Sequence, residues 1–380
     1  MTHRQSVTLY TFLASCEGTE ETIMIAVKRA LSTAANYIQP LEDNRWSDLV
    51  QKHPRSSVFH TVQWLEALSR TYGYRPLVVT TSPSGSELQN GLVFCEVNSW
   101  LTGRRLVSLP FSDHCDPLVE DESETNVLLS ALEDRLRNEK LRYVELRPMG
   151  GAAPAVDRCP STYQYHLHQV DLTPELETLF HNCHKSSTQR KIRRAEREGL
   201  AYEEGRSKTQ LDIFYRLLLS TRRRHQVPPQ PRKWFENLIQ CFGDSLKIRI
   251  AFKGAQPIAA ILTLEHKDTL SYKYGCSVAR FHMLGGMHLL LWRSIEEAKQ
   301  KGLRSLDLGR SDCENSGLVT FKDRWGGARS TLRYFRFTAA GKGHFLPAGD
   351  WKERAAKSLF FRLPDRLLTS VGEMMYKHIG

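Results

Sequence analysis

No stretch of about eighteen consecutive apolar residues occurs in this chain, so nothing in it reads as a bilayer-crossing helix. The opening MTHRQSVTLYTFLASCEGTE has a short apolar run broken by Thr and Cys and soon followed by acids, which does not match a signal peptide. Eight cysteines (Cys16, Cys95, Cys115, Cys159, Cys183, Cys241, Cys276, Cys313) include no C-x-x-C pair, which argues against a zinc ribbon or a thioredoxin-type dithiol. They read as free thiols of a reducing compartment, so a cytoplasmic protein is expected. The fourteen histidines include no H-E-x-x-H, and His282 and His288 lack the spacing of a metal pair, so no metal is expected. Also lacking are a G-x-S-x-G elbow and a cysteine-protease signature, which argues for direct transfer chemistry over a covalent enzyme intermediate. Short internal repeats and low-complexity tracts are missing too.

What is present is enough chain, 380 residues, for two domains that each bury a core. The hydrophobic share of 41% and charged share of 25% are those of an ordinary globular protein. Lys and Arg number 53 against 42 acids, a formal +11. That surplus favours polyanionic partners such as nucleotide phosphates, tRNA or an anionic membrane surface, or it serves solubility alone. Position along the chain has to separate these.

Residues 1–42 fit no clear element and read as an N-terminal extension, or as a first strand leading to Asp43. A first domain is expected over 43–161. In it SSVFHTVQWLEALSRTYGYRP places Trp64, Leu65 and Leu68 at helical spacing, and RPLVVTT and NGLVFCEVNSW read as strands separated by turn-rich SPSGSELQNG. Leu128, Leu132 and Leu136 recur every four residues in a predicted helix over 122–140, and the strand RYVELRP follows. MGGAAPAVDRCPSTY is rich in Gly, Ala and Pro and marks a boundary near Thr162.

HLHQVDLTPELETLF restarts a strand and a helix in a second domain over 162–344. Leu211, Phe214, Tyr215, Leu218 and Leu219 form one apolar stripe, and PRKWFENLIQCF gives a helix opened by Pro231. Three strands follow, LKIRIAF, PIAAILTLEH and TLSYKYGCSV, then a Gly-Gly loop, a helix over 287–301, the strand SLDLG, a polar loop and the strand LRYFRF. This mixes antiparallel hairpins with one β-α-β crossover, a mixed α/β fold that is not doubly wound.

The second half carries SLDLGRS, eight intervening residues, and then TFKDRWG. This combination resembles the FemAB-type peptidyltransferases of the GNAT acyltransferase superfamily: Asp307, Leu308, Gly309, Arg310, Ser311, Gly317, Phe321, Lys322, Trp325 and Gly326 carry the match. FHTVQWLEAL, SLPFSDHCDPL, RKIRRAEREGL and SYKYGCS agree more loosely, so the resemblance spans roughly Asp43 to Phe337. It implies two GNAT-like domains in tandem with one functional cleft, and an enzyme that moves an acyl or aminoacyl group onto an amine of a cell-envelope or polysaccharide-related acceptor. That acceptor would be a small molecule or lipid-linked, such as a peptidoglycan precursor. A catalytically silent binding protein of envelope or exopolysaccharide synthesis is the alternative from another class. No tightly bound cofactor is implied; acyl-CoA or aminoacyl-tRNA would be the co-substrate. The chain departs from relatives in having no room for a coiled-coil arm between the Arg-rich turn and the next strand, which places acyl-CoA ahead. It departs again in its phosphate loop, which appears only as Arg280 followed by Gly285 and Gly286.

Amide formation needs a neutral amine, a positioned carbonyl and donors for the oxyanion. The resemblance places Lys322 near the transferred carbonyl, as a fixed cation; a solvated lysine is the alternative. Arg310 suits a carboxylate or phosphate, or pairs with Asp307 or Asp312. Asp307 either holds its loop or acts on substrate, Ser311 completes the matched triplet, and Phe321 and Trp325 form packing or a cleft wall. In PFSDHCDPL, Asp113, His114 and Asp116 sit on a turn-rich loop, and Asp113 is the candidate to orient or deprotonate the acceptor amine; turn formation explains these acids equally well. Gly285 and Gly286 open a helix and form a candidate phosphate cradle with Arg280. Tyr272 and Tyr274 alternate with Lys273 and are expected on one face, toward cleft or core. Two basic runs remain: Lys185, Arg190, Lys191, Arg193, Arg194 and Arg197, then Arg222, Arg223 and Arg224. They are solvated faces or holders of a nucleotide- or diphosphate-linked ligand.

The tail over 345–380 reads as a basic amphipathic helix. Leu359, Phe360, Leu363, Leu367, Leu368, Val371, Met374 and Met375 recur at helical intervals around Pro364. Such a helix either makes a peripheral contact with the inner face of a membrane or packs on the second domain.

Overall fold

The computed structural model describes residues 35–150, 161–338 and 364–379. Twelve strands form a single mixed sheet in the order β1-β2-β3-β4-β5-β12-β6-β11-β10-β9-β8-β7. The first half contributes β1 (Asn36–Ile38), α1 (Asn44–Lys52), α2 (Val62–Tyr72), β2 (Arg75–Thr80), β3 (Leu92–Ser99), β4 (Gly103–Val107), α3 (Glu122–Asn138), β5 (Tyr143–Leu146) and β6 (Ser161–Asp171). After α4 (Leu176–Asn182) and α5 (Arg190–Arg197) the second half repeats that series. It runs β7 (Ala201–Gly205), α6 (Lys208–Arg224), α7 (Arg232–Phe242), β8 (Leu246–Lys253), β9 (Gln256–His266), β10 (Thr269–Ser277), α8 (Gly286–Gln300), β11 (Ser305–Asp312) and β12 (Ala328–Phe337).

In each half the fourth and fifth strands pair in parallel, β4 with β5 and β10 with β11, while the earlier strands are antiparallel neighbours. The pairing then crosses over. β12 returns to pair with β5, and β6 pairs with both β11 and β12, so the last strand of each half is shared by both. The expected boundary near Thr162 falls at the start of β6. A repeat invisible in the sequence is therefore plain in the topology, and the fold is the tandem GNAT-like α/β arrangement. β1, at the end of the stretch read as an extension, is the sheet's first edge strand.

One apolar core lies under α1, α2, α6 and α7 and runs across both halves. α2 and α7 occupy corresponding places in the two halves and meet directly: Trp64 and Trp234 pack edge to face at 5.2 Å, and Asn237 Nδ2 donates to Thr71 Oγ1 at 2.8 Å. On the opposite face α8 with α4 and α5 covers the second half, and α3 covers the first. The predicted helices and strands of the second half are present. The polar loop expected after SLDLG is not a loop throughout: β11 continues to Asp312, and residues 316–323 form α9 (Ser316–Asp323). Asn315 caps that helix by accepting from Leu318 N, so the turn-forming residues ahead of it are its N-terminal signal.

The tail's α10 (Asp365–Ile379) is docked across both halves rather than on the second alone. Leu368 is buried, Tyr376 OH donates to Pro228 O at 3.1 Å, and Asp365 pairs with Arg223. Its final carbonyls are capped by the first half: Tyr74 OH donates to Tyr376 O at 2.7 Å, and Arg105 Nη2 and Thr102 Oγ1 donate to His378 O at 2.7 and 2.8 Å. Leu359, Phe360 and Leu363 of the expected stripe lie outside the described residues. Among the described residues, no helix is long and apolar enough to cross a membrane.

Candidate active site

The parallel strands β10 and β11 pair only from Thr269/Ser305 to Ser271/Asp307 and then separate. Beyond that point opens a cavity of about 900 Å³, walled by β10, β11, α9, the start of α8 and the end of α6. Two local irregularities produce it. On β11 the register with β6 shifts between Asp307 and Arg310. Asp307 Oδ1 accepts from Gly309 N at 2.7 Å, and Gly309 sits at φ 72°, a conformation that excludes most side chains. The bend presents the Gly309 and Arg310 carbonyls to Lys322 of α9, whose Nζ donates to both at 2.8 Å. Lys322 is 3% exposed, and burial lowers its pKa to about 8 despite Asp113 and Asp307 nearby. As an ammonium it has three donors; two are spent on these carbonyls and one is left for the cavity it lines.

On β10 the second irregularity is a bulge at Lys273, between Tyr272 and Tyr274. The two tyrosines were expected on one face; the bulge puts them on opposite faces, because one extra residue inverts the alternation. Tyr272 packs with the core under α8, whereas Tyr274 joins the other core and its OH accepts from Trp234 Nε1 at 2.8 Å and Gln230 Nε2 at 2.9 Å. Both still line the cavity. Gly275 is required here, since a Cβ would lie 1.9 Å from Tyr272 OH. Burial raises the pKa of both phenols.

The bulged Lys273 reaches across to the first half. Its Nζ donates to Asp113 Oδ2 at 2.9 Å and lies 5.0 and 5.7 Å from the Phe59 and Trp64 ring centres. Arg310 Nε stands 3.8 Å from Asp113 Oδ1, with its guanidinium over Tyr165 at 4.3 Å and Tyr334 at 5.3 Å. Arg310 therefore pairs with Asp113, not with Asp307 or Asp312, and its pKa is raised. Burial works against a charge on Asp113, but Lys273, Arg310 and Lys322 hold its pKa below the ordinary value. An ionised, bonded carboxylate orients an amine better than it deprotonates one. The adjacent His114 binds Asp307 Oδ2 through Nε2 at 2.8 Å; burial opposes its charge, yet Asp307, Asp113 and Asp116 raise its pKa. Tyr334 OH donates to Asp113 O at 2.6 Å and fixes the loop from β12.

The other predicted residues fall as follows. Phe321 lines the cavity and meets His288 edge to face at 5.3 Å. Ser311, next after Arg310, turns to the other face and is buried outside the cavity walls. Asp116 is spent on backbone, accepting from Met149 N at 2.5 Å, and is not a cavity wall. Gly285 is the left-handed N-cap of α8, Gly286 lines the cavity, and Arg280 is exposed over the ring of the wall residue Phe281 but is not itself a wall. Sequence reasoning missed Lys273 as a site residue. The available signal was a lone charge inside an otherwise apolar, aromatic strand.

Nucleophile chemistry finds little support. Cys276 lines the cavity, but its thiol donates to Ala260 O at 3.5 Å and burial raises its pKa. Ser277 Oγ meets His282 Nε2 at 2.9 Å, but burial and then Arg224, Lys191 and His225 lower the His282 pKa and oppose the imidazolium a Ser–His mechanism must form. Among the described residues no group of three or more His, Cys, Asp or Glu is placed to hold a metal.

Residues 184–322, which contain most of these walls, match the family model of the acetyltransferase (GNAT) domain. A GNAT domain is thus what this stretch, less than half of the chain, is similar to. Over 122 residues it is 28% identical to a UDP-N-acetylmuramoylpentapeptide-lysine N(6)-alanyltransferase of Weissella viridescens, a match covering 31% of this chain and 36% of that protein. The chain thus spans about a third of that relative's length. The FemX crystal structure superposes with a TM-score of 0.61 at 14% identity, over 79% of this chain and 96% of FemX. The DUF2156 C-terminal domain of an Agrobacterium fabrum protein does so with a TM-score of 0.54 at 17% identity, over 84% and 94%. At these identities the likeness is one of fold, and it extends beyond the GNAT domain to most of the chain.

Proposed function

We propose that this chain is an N-acyltransferase that passes an acyl or aminoacyl group directly to an amine of a cell-envelope or polysaccharide-related acceptor. The observation that carries this reading is the gap between β10 and β11, where the buried Lys322 ammonium keeps one N–H for the cavity. There it would stabilise the oxyanion that forms when a neutral amine attacks the donor carbonyl; its collapse breaks the bond to the donor's thiol sulfur or ribose oxygen, which leaves with the proton that the amine gives up. Asp113, held ionised by Lys273 and Arg310, would hold and orient the incoming amine. The cavity thereby receives groups from both halves, the acid on the first and the cations on the second.

The donor is acyl-CoA or aminoacyl-tRNA, neither tightly bound. The absent coiled-coil arm favours the first, and the name of the Weissella relative, which transfers alanine to a lysine N6, favours the second. The acceptor is a small or lipid-linked amine, reached in the cytoplasm or at the inner face of the membrane. Purified protein incubated with labelled acetyl-CoA or with alanyl-tRNA, each with UDP-N-acetylmuramoyl pentapeptide as acceptor, tests the proposal. Label should pass to the acceptor from one donor. Binding of either donor without transfer to any amine would favour a silent binding protein instead.

A further inference from the structure

A second cavity of about 400 Å³ lies beside the first, walled by Arg190, Lys191, Arg194, Arg197, Glu198 and Met283. Lys191 walls both cavities, so the two adjoin at its side chain. Arg190, Arg194 and Arg197 fall at i, i+4 and i+7 of α5, on one face of the helix over roughly 10 Å. Glu198, the only acid among the described residues that wall this cavity, is already shared by Lys253 at 3.0 Å and Arg194 at 3.6 Å. Arg190, Lys191 and Arg197 have no acid partner among the described residues; the same is true of other exposed cations such as Arg193 and Arg216, and what distinguishes these three is that they wall one cavity. Burial, and after it the neighbouring Arg190 and Arg324, lower the Lys191 pKa. α5 also abuts the turn that opens α8: a Cβ on Gly285 would lie 2.3 Å from Lys191 O. Arg222 and Arg224 continue the positive wall into the main cavity.

We propose that the α5 cavity is an anion subsite that binds phosphate groups of a substrate whose reacting end lies in the main cavity. Arg190 and Arg197 are the phosphate-binding side chains, and Lys191 guides the ligand from one cavity to the other. Planar guanidinium groups on a rigid helix suit phosphate oxygens, and cations left unpaired in the free protein need break no ion pair to bind them. The inference rests on the acyl-transfer reading only for what happens in the main cavity. The phosphates could be those of a CoA thioester or of an RNA end, and the two arms of the test separate these sources.

The test measures binding of CoA and, separately, of unacylated tRNA to the full-length chain across a salt series, for the wild type, Arg190→Gln/Arg197→Gln and the control Arg206→Gln/Arg293→Gln. All four arginines lie on the surface, so the variants should fold. One probe should bind the wild type, with affinity falling as salt rises; the α5 variant should bind it roughly tenfold or more weakly, with a shallower salt dependence, and the control should match the wild type. Equal binding by wild type and α5 variant, equal loss in the control, or no binding of either probe by the wild type overturns the subsite. Binding lost only in the α5 variant, in a protein that transfers to no amine, would uphold the subsite while overturning the acyl-transfer reading.

Discussion

Replacing Lys322 with methionine removes the ammonium while keeping most of the buried stem. Two structural effects then oppose each other. The wild-type lysine has its pKa brought from 10.5 to about 8 by burial, so its charged form costs about 3 kcal/mol at neutral pH, and methionine relieves this. The same change leaves the Gly309 and Arg310 carbonyls without their 2.8 Å donor, at about 1–3 kcal/mol each. The net change in stability should lie between about 1 kcal/mol of gain and about 3 kcal/mol of loss. Turnover has no such compensation, and losing one preorganised oxyanion donor costs roughly 10²-fold. The pH dependence separates the two. Between pH about 8 and 10.5 the unfolded wild type binds a proton that the folded form has released, so its stability rises with pH through that window, by about 3 kcal/mol in all; the variant lacks this rise. Turnover that needs the charged lysine should fall in the wild type above pH about 8. Urea unfolding at neutral and alkaline pH, beside single-turnover acylation of an amine, reads both. A folded variant with unchanged turnover, or one that keeps the alkaline rise in stability, would refute the role assigned to Lys322.

Gly309→Ala should cost about 1 kcal/mol of backbone strain at φ 72° and, because its Cβ would lie 2.9 Å from Asp113 Oδ2, lower turnover by about tenfold or more; thermal melting with kcat measures both. Lys273→Met should destabilise the protein by about 3–5 kcal/mol, since it leaves Asp113 buried without its main partner. In the wild type the stabilisation from Asp113 is present above its ordinary pKa of 3.8 and is lost as pH falls through its lower folded value; in the variant the loss should begin at higher pH, so an acid-unfolding midpoint that does not move upward sinks the assignment. Ending the chain after Thr338 removes α10 and leaves the Tyr74 and Arg105 donors without the carbonyls they cap, so the melting temperature should fall; an unchanged melt would mean that α10 adds nothing to the fold.

Local pattern in the sequence was enough to place most elements. The stripe from Leu211 to Leu219, the three apolar runs of β8, β9 and β10, and the four-residue leucine spacing of α3 each follow from burying one face of a helix or strand. The Asp307-Leu-Gly-Arg stretch also carries its own turn chemistry, because the aspartate bonds the amide two residues on and glycine accepts the positive φ. Tertiary structure decided everything that depends on which distant groups meet. The exchange of last strands, with β12 pairing to β5 and β6 to β11, joins the halves into one sheet, in which Asp113 of the first half stands against Lys273 and Arg310 of the second. The bulge at Lys273, which separates Tyr272 from Tyr274, is a choice of register made across strands. Lys322 shows the same limit: its sequence neighbours describe a helix end, but its lowered pKa and its single free N–H arise from burial against carbonyls of another strand, and burial is settled by the whole chain.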